Sequence, residues 1–190
     1  ALTAVLQYIF NSDVAVLDYR APSLAANSIS THFSGDREAA VVLDVACGTG
    51  LVAQQVNLQD QNLLTDGLSS LPAGLFDVVV IVGALSVGQV PVDVVRELFK
   101  STKPGGYICM TTRSNHDNLQ YKASLERELK QMEEEELWTC VEYSQVEDWE
   151  RAVSEQEHGY ISGAVYIYKK LYVDTVPVAA CIFSPAQRTY

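Results

Sequence analysis

Residues 41–50, Val-Val-Leu-Asp-Val-Ala-Cys-Gly-Thr-Gly, constrain the fold of this chain more than any other stretch. Three branched apolar residues, Val41, Val42 and Leu43, read as a short strand buried on both faces, and the small residues after them force a tight turn. A helical pattern begins at once in Leu51-Val52-Ala53-Gln54-Gln55-Val56. Strand, glycine turn and helix in that order make a backbone pocket for a nucleotide-like ligand. Glycines let a ligand approach the chain, and a helix start offers free N–H groups. Asp44, at the strand end, can take a hydroxyl or an amine. A glycine pair of this kind is also compatible with a tight connection alone, so the rest of the chain has to decide.

The same alternation continues. Residues 61–67 read as a short strand ending in Asp66-Gly67, and Asp66 lies near the ~20-residue spacing at which a ribose-binding acid follows a glycine turn. An Asp-Gly turn with a solvated carboxylate explains it equally well. Residues 76–84, Phe-Asp-Val-Val-Val-Ile-Val-Gly-Ala, form the most apolar strand and belong in the middle of a sheet, with Gly83 and Ala84 at the ligand-holding carboxyl end. Pro91 opens a helix over 92–99, and Lys103-Pro104-Gly105-Gly106 reads as a turn into a strand over 107–112. Arg113, Ser114, Asn115, His116 and Asp117 follow at that strand's carboxyl end. An amphipathic helix is expected over 118–136, with Leu119, Leu125, Leu129 and Met132 on one side and residues 133–136 as a solvated acidic end. Strands over 138–146 and 160–168 have no helix between them and should pair antiparallel. Residues 1–33 read as a helical cover punctuated by Pro22, and 171–190 carry no clear period.

Length and charge limit the partners. The chain has 190 residues, enough for one domain, placed here at 1–170. Its formal charge, 13 minus 24, is −11, with the Lys and Arg dispersed, which disfavours nucleic acid. Cys47, Cys109, Cys140 and Cys181 are widely spaced, without a CxxC pair or zinc spacing, so buried thiols and no metal are expected. No apolar run is long enough to span a membrane, and the opening Ala1-Leu2-Thr3-Ala4-Val5-Leu6 has no basic leader. The start without Met reads as partial or processed, and the compartment as cytoplasmic, with the nucleus as the alternative.

Taken together, Leu43-Asp44-Val45-Ala46-Cys47-Gly48-Thr49-Gly50, Phe76-Asp77 and Lys103-Pro104-Gly105-Gly106 resemble the class I S-adenosylmethionine-dependent methyltransferases. Tyr19-Arg20-Ala21-Pro22, residues 81–86, Val90-Pro91, Thr111-Thr112-Arg113 and Tyr160-Ile161-Ser162-Gly163 narrow the resemblance to a methyltransferase-like branch of that class, over roughly residues 12–170. The resemblance implies an α/β, Rossmann-like doubly wound, mostly parallel sheet closed by an antiparallel C-terminal hairpin. It implies S-adenosylmethionine as cofactor and a small-molecule methyl acceptor on a monomer. Asp44 would support the cofactor's methionine amine. Ala46, Cys47, Gly48 and Gly50 would line its methionyl and ribose portions, Ala46 standing where many relatives have glycine. Asp66, Gly67 and Leu68 resemble the adenine-side loop, Val82, Gly83 and Ala84 the wall after the family's fourth strand, and Tyr19 and Arg20 the covering segment. A general base is optional in such chemistry; His116, after the family's fifth strand, is the first choice, with His158 and Tyr160 next.

The departures carry weight too. Between the glycine turn and Phe76-Asp77 a strand-and-helix block of the family is absent, so the sheet is expected to lack one strand of the usual seven. Spacing makes Asp66 the ribose acid; family order makes it the adenine-loop acid, and Leu71-Pro72 before Phe76-Asp77 favours the latter. The alternative function is therefore a truncated, catalytically impaired relative that serves as a binding module or has no activity. A nicotinamide dehydrogenase is weaker still, because the third glycine of the dinucleotide fingerprint is missing.

Overall fold

The computed structural model describes residues 16–46, 51–52, 73–153 and 158–172. Within them the order is α1 (Ala21–His32), β1 (Val42–Val45), β2 (Phe76–Ile81), α2 (Val94–Ser101), β3 (Thr102–Arg113), a short 3-10 turn (His116–Asn118), α3 (Leu119–Glu134), β4 (Trp138–Arg151) and β5 (Tyr160–Lys170). The five described strands form one sheet in the order β1-β2-β3-β5-β4. The pairs β1/β2 and β2/β3 are parallel, and β3/β5 and β5/β4 antiparallel, so the expected parallel core and C-terminal hairpin are both present. The expected strand at 61–67 lies outside the described residues.

Alternation along the strands assigns each face. Val78 and Val80 of β2, Cys109 of β3 and Val165 and Ile167 of β5 face α1. Val79 and Ile81, Ile108 and Met110, and Ala164, Tyr166 and Tyr168 face α2 and α3. This double burial is why β2 reads as an unbroken apolar run: residues from Val78 to Ile81 are wholly inaccessible to solvent. Helix α1 meets its face with Ala21, Ala25, Ala26 and Ile29, small residues that let it lie close to the sheet, and Pro22 sits in its first turn where no N–H is needed. Helix α3 buries Leu125, Leu129 and Met132 at helical spacing, and Trp138 Nε1 donates to the Leu129 carbonyl at 3.1 Å.

Several details differ from the sequence reading. Leu119 opens α3 but is exposed, because the chain enters the helix at its solvent side. The acidic end of α3 is not simply solvated: Arg96 donates through Nε to Glu128 at 2.6 Å and through Nη1 and Nη2 to Glu135 at 2.8 and 3.0 Å. These bonds, with one from Gln131, hold the Glu135 carboxyl down to about 2. Of the two described cysteines, Cys109 is buried in β3 as expected, but Cys140 is exposed on the outer strand β4.

Residues 103–106 belong to β3 rather than to a turn before it. Phe76 pairs with Thr102 and Val78 with Tyr107, so β3 spends five residues where β2 spends two and the excess bulges out. Asp77 anchors this irregularity. Its carboxylate accepts from Val41 N–H at 2.9 Å and from Lys103 Nζ at 2.7 Å, and its own N–H donates to the Val41 carbonyl. Gly106 passes so near the Asp77 and Lys103 carbonyls that a Cβ would lie 2.8 and 3.0 Å from them. The Phe-Asp and Lys-Pro-Gly-Gly motifs therefore serve the start of the sheet.

Strand β4 runs on to Arg151, five residues past the expected end. Val146 pairs with Gly163 and Glu150 with Ile161, so β4 carries two extra residues there. The bulge breaks alternation and turns two neighbours, Trp149 and Glu150, inward together. Gly163 is required opposite, since any Cβ there would overlap the Trp149 ring.

Candidate functional site

The carboxyl ends of β1, β2 and β3 lie side by side, and the expected residues are found at two of them. Asp44 is buried in the penultimate position of β1, paired with Val80, and Val45 pairs with Ile81, which sets Ala46 beside Val82 where both strands end. Ala46 turns out of the strand at φ +59°, a left-handed conformation that glycine adopts without steric cost. Ala46→Gly is therefore expected to leave stability unchanged or raise it by up to about 1 kcal/mol, the relief of strain exceeding the added chain entropy. Urea denaturation checks this, and a clear loss of stability would contradict the strain argument. Cys47, Gly48, Gly50, Asp66, Gly67 and Leu68 lie outside the described residues.

After β2 the chain passes Val82, half buried, then Gly83 and the buried Ala84. Gly83 adopts φ +78°, donates its N–H to Thr111 Oγ1 at 3.1 Å, and approaches Tyr19 so closely that a Cβ would sit 2.5 Å from the phenol oxygen. Gly83→Ala should cost about 1–2 kcal/mol from the left-handed backbone alone and displace the Tyr19 ring as well. Thermal denaturation measures the first effect; the Tyr19 ring proton shifts in NMR report the second.

Tyr19 reaches this position because the segment before α1 is tied to the end of β4. Arg151 N–H donates to the Leu17 carbonyl at 2.8 Å and Arg20 N–H to the Trp149 carbonyl at 3.0 Å. Asp18, itself at φ +52°, accepts from Tyr160 Oη at 2.6 Å and Arg151 Nε at 2.9 Å, which holds its carboxyl below the usual range. The Tyr19 ring packs edge-on against Trp149 with centroids 6.4 Å apart. Burial, with the Glu150 carboxylate and despite Arg113, pushes the Tyr19 phenol well above its ordinary value, so it remains a donor at neutral pH. Arg20 turns away: its Nη1 donates to the Asp148 carbonyl.

Beyond Gly83 the walls come from β3, β4 and β5. A cleft of about 270 Å³ is bordered by Ser86, Gln89, Arg113, Asn115, Glu150 and Ile161, among others, and a cavity of about 10 Å³ beside it by Tyr19, Gly83, Thr111, Arg113 and Trp149. Arg113 Nε and Glu150 Oε1 are 2.6 Å apart, with the Glu150 side chain 5% exposed and that of Arg113 41%. Burial raises the Glu150 carboxyl above its ordinary value while Arg113 opposes the rise. Asn118, buried, fixes the rim: it accepts from Val87 N–H at 2.9 Å and donates to Thr112 Oγ1 at 3.0 Å and the Arg113 carbonyl at 2.8 Å.

His116 stands in the 3-10 turn with its ring mostly in solvent and Nδ1 3.3 Å from Asp117. It is not among the residues bordering the cleft, although its neighbours Asn115 and Asp117 are. Tyr160 is spent on Asp18, and His158 is exposed. Sequence reading missed Glu150 and the role of Trp149, and no local pattern marks them, because their burial follows from the bulge in β4.

This geometry has relatives. The chain is 42% identical over 156 residues to Methyltransferase-like protein 27 from Homo sapiens, a match taking in 68% of this chain and 63% of that protein, so it spans less than two thirds of its relative's length. Two solved structures share the fold. A candidate RNA methyltransferase from Pyrococcus horikoshii has a TM-score of 0.56 at 12% identity, covering 80% of this chain and 84% of that one. The 1,6-didemethyltoxoflavin-N1-methyltransferase of Burkholderia thailandensis, with 1,6-didemethyltoxoflavin and S-adenosylhomocysteine bound, has a TM-score of 0.54 at 19% identity, covering 89% and 88%. No protein-family model matches the chain. At such identities the structural likeness shows the fold, and the sequence match supplies a relative: the chain is similar to Methyltransferase-like protein 27 over part of that protein's length and has the fold of solved methyltransferases.

Proposed function

We propose that the chain transfers a methyl group from S-adenosylmethionine to a small-molecule acceptor. The observation that carries this reading is the close approach of Tyr19 to the left-handed Gly83 at the carboxyl end of β2, next to the buried Asp44 of β1. The residues present fit such a cofactor: a glycine whose place no side chain could take, a buried carboxylate, and an aromatic cover. Relatives by sequence and fold, one of them with S-adenosylhomocysteine bound, support the choice.

When bound, the cofactor supplies a methyl carbon on a positively charged sulfur, which leaves as a neutral thioether. The chain's own task is then to align and to exclude water. In this reading Asp44 holds the methionine amine, Val82, Gly83 and Ala84 form a wall, and Tyr19 with Trp149 closes the site from above. The acceptor occupies the cleft on the β3–β5 side, its hydroxyl or amine proton passing to solvent, so no dedicated base is needed. Two described free cysteines and the dispersed basic residues support a cytoplasmic monomer without a nucleic-acid partner as part of the same proposal. Among the described residues no helix is long and apolar enough to cross a membrane.

Isothermal titration with S-adenosylmethionine and S-adenosylhomocysteine tests the reading. Saturable heat, with the product binding at least comparably, is expected. No heat and no thermal shift with either would overturn it and favour the impaired relative instead.

A further inference from the structure

The bulge in β4 places together polar groups that the methyl-transfer reading leaves without a task. Arg113 presents two fifths of its side chain to the cleft while its Nε holds Glu150. A guanidinium has five N–H donors in a planar fork, so one contact leaves donors to spare. Behind it the Trp149 indole is 1% exposed, and its Nε1 has no hydrogen-bond partner among the described residues. A buried indole N–H ordinarily finds an acceptor. The cavity that Trp149 and Arg113 share is about 10 Å³, room for one oxygen atom or water, and it adjoins the larger cleft at Ser86 and Arg113.

From these we infer that the cleft binds a small molecule through a carboxylate, seated on Arg113 with one oxygen reaching Trp149 Nε1. This rests on the methyl-transfer reading only in naming the molecule an acceptor. The remaining charges at the cleft do not compete. Arg151 is taken by Asp18, Glu150 by Arg113, and Asp117 stands at the exposed mouth beside His116. A carboxylate matches better than a phosphate: its two coplanar oxygens suit one guanidinium and one indole donor, whereas further phosphate oxygens would face Glu150. With a chain charge of −11, the long-range field repels an anion, so recognition has to come from these local donors.

The chain has two tryptophans, and Trp138 Nε1 already donates to Leu129, so it is a built-in control. The experiment follows both indole N–H signals by NMR during titration with benzoate and, separately, benzylamine. Benzoate should move the Trp149 signal saturably and leave Trp138 in place; benzylamine should move neither. In the Arg113→Gln/Glu150→Gln double variant, which leaves no buried charge unpaired, the benzoate response should fall at least tenfold in affinity. A response to benzylamine in place of benzoate, no Trp149 response to either, or an unchanged benzoate response in the folded double variant would overturn the inference. Benzoate binding retained by a chain that ignores S-adenosylmethionine would support the carboxylate site and overturn only the methyl-transfer reading.

Discussion

Arg113→Gln is expected to lower the free energy of unfolding by about 2–4 kcal/mol at pH 8 and by distinctly less at pH 5. The substitution leaves the Glu150 carboxylate in a site where only 5% of its side chain meets solvent. Breaking a fully buried pair costs about 3–5 kcal/mol; the partial exposure of Arg113 lowers the figure here. The pH dependence follows from Glu150. Burial holds its carboxyl above the ordinary 4.5, with Arg113 restraining the rise. A carboxyl raised in the folded state is fully accommodated below its unfolded value, and that stability is lost as pH rises through the folded one. Without Arg113 the folded value climbs further, so the loss spreads to higher pH and deepens. Urea denaturation at the two pH values measures it, and an equal loss at both would remove the buried charge as the cause. Arg113→Gln/Glu150→Gln should recover most of the deficit, because no buried charge then lacks its partner.

Asp44→Asn is the second large effect, on binding. Under the proposed function the carboxylate makes a charge-assisted contact with the cofactor's amine, worth about 2–3 kcal/mol, so affinity for S-adenosylmethionine should fall about 30–150-fold. The amide has nearly the same shape, and the buried position of Asp44 between Leu43 and Val45 should remain filled. Circular dichroism of the variant should therefore match the parent while calorimetry reports the weaker binding. Unchanged affinity in a folded Asp44→Asn protein would take Asp44 out of the cofactor site.

The parts of the fold that were legible in the sequence are those set by local pattern. A short unbroken run of β-branched residues bounded by glycine reads as a strand covered on both faces, and β2 is that. Two alternating segments with no helix between them can pair only antiparallel, as β4 and β5 do. The resemblance assigned Tyr19 and Gly83 to one site, and the two lie against each other in the fold. What misled were residues whose meaning depends on partners far along the chain. His116 follows β3 as a base would, yet the 3-10 turn points it to solvent. Lys103-Pro104-Gly105-Gly106 has turn chemistry, yet Asp77 draws it into the sheet.

The sequence by itself determined the layered α/β architecture and the strand directions, because side-chain period and turn residues are local properties that survive without coordinates. Only the tertiary structure decided which polar groups meet. Two extra residues in β4 bring Glu150 to Arg113 and leave the Trp149 indole facing a cavity, and no periodicity records such an event. The reason is physical: a charged or polar side chain can be buried only where the fold supplies its counterpart, and that counterpart is chosen by the path of the whole chain.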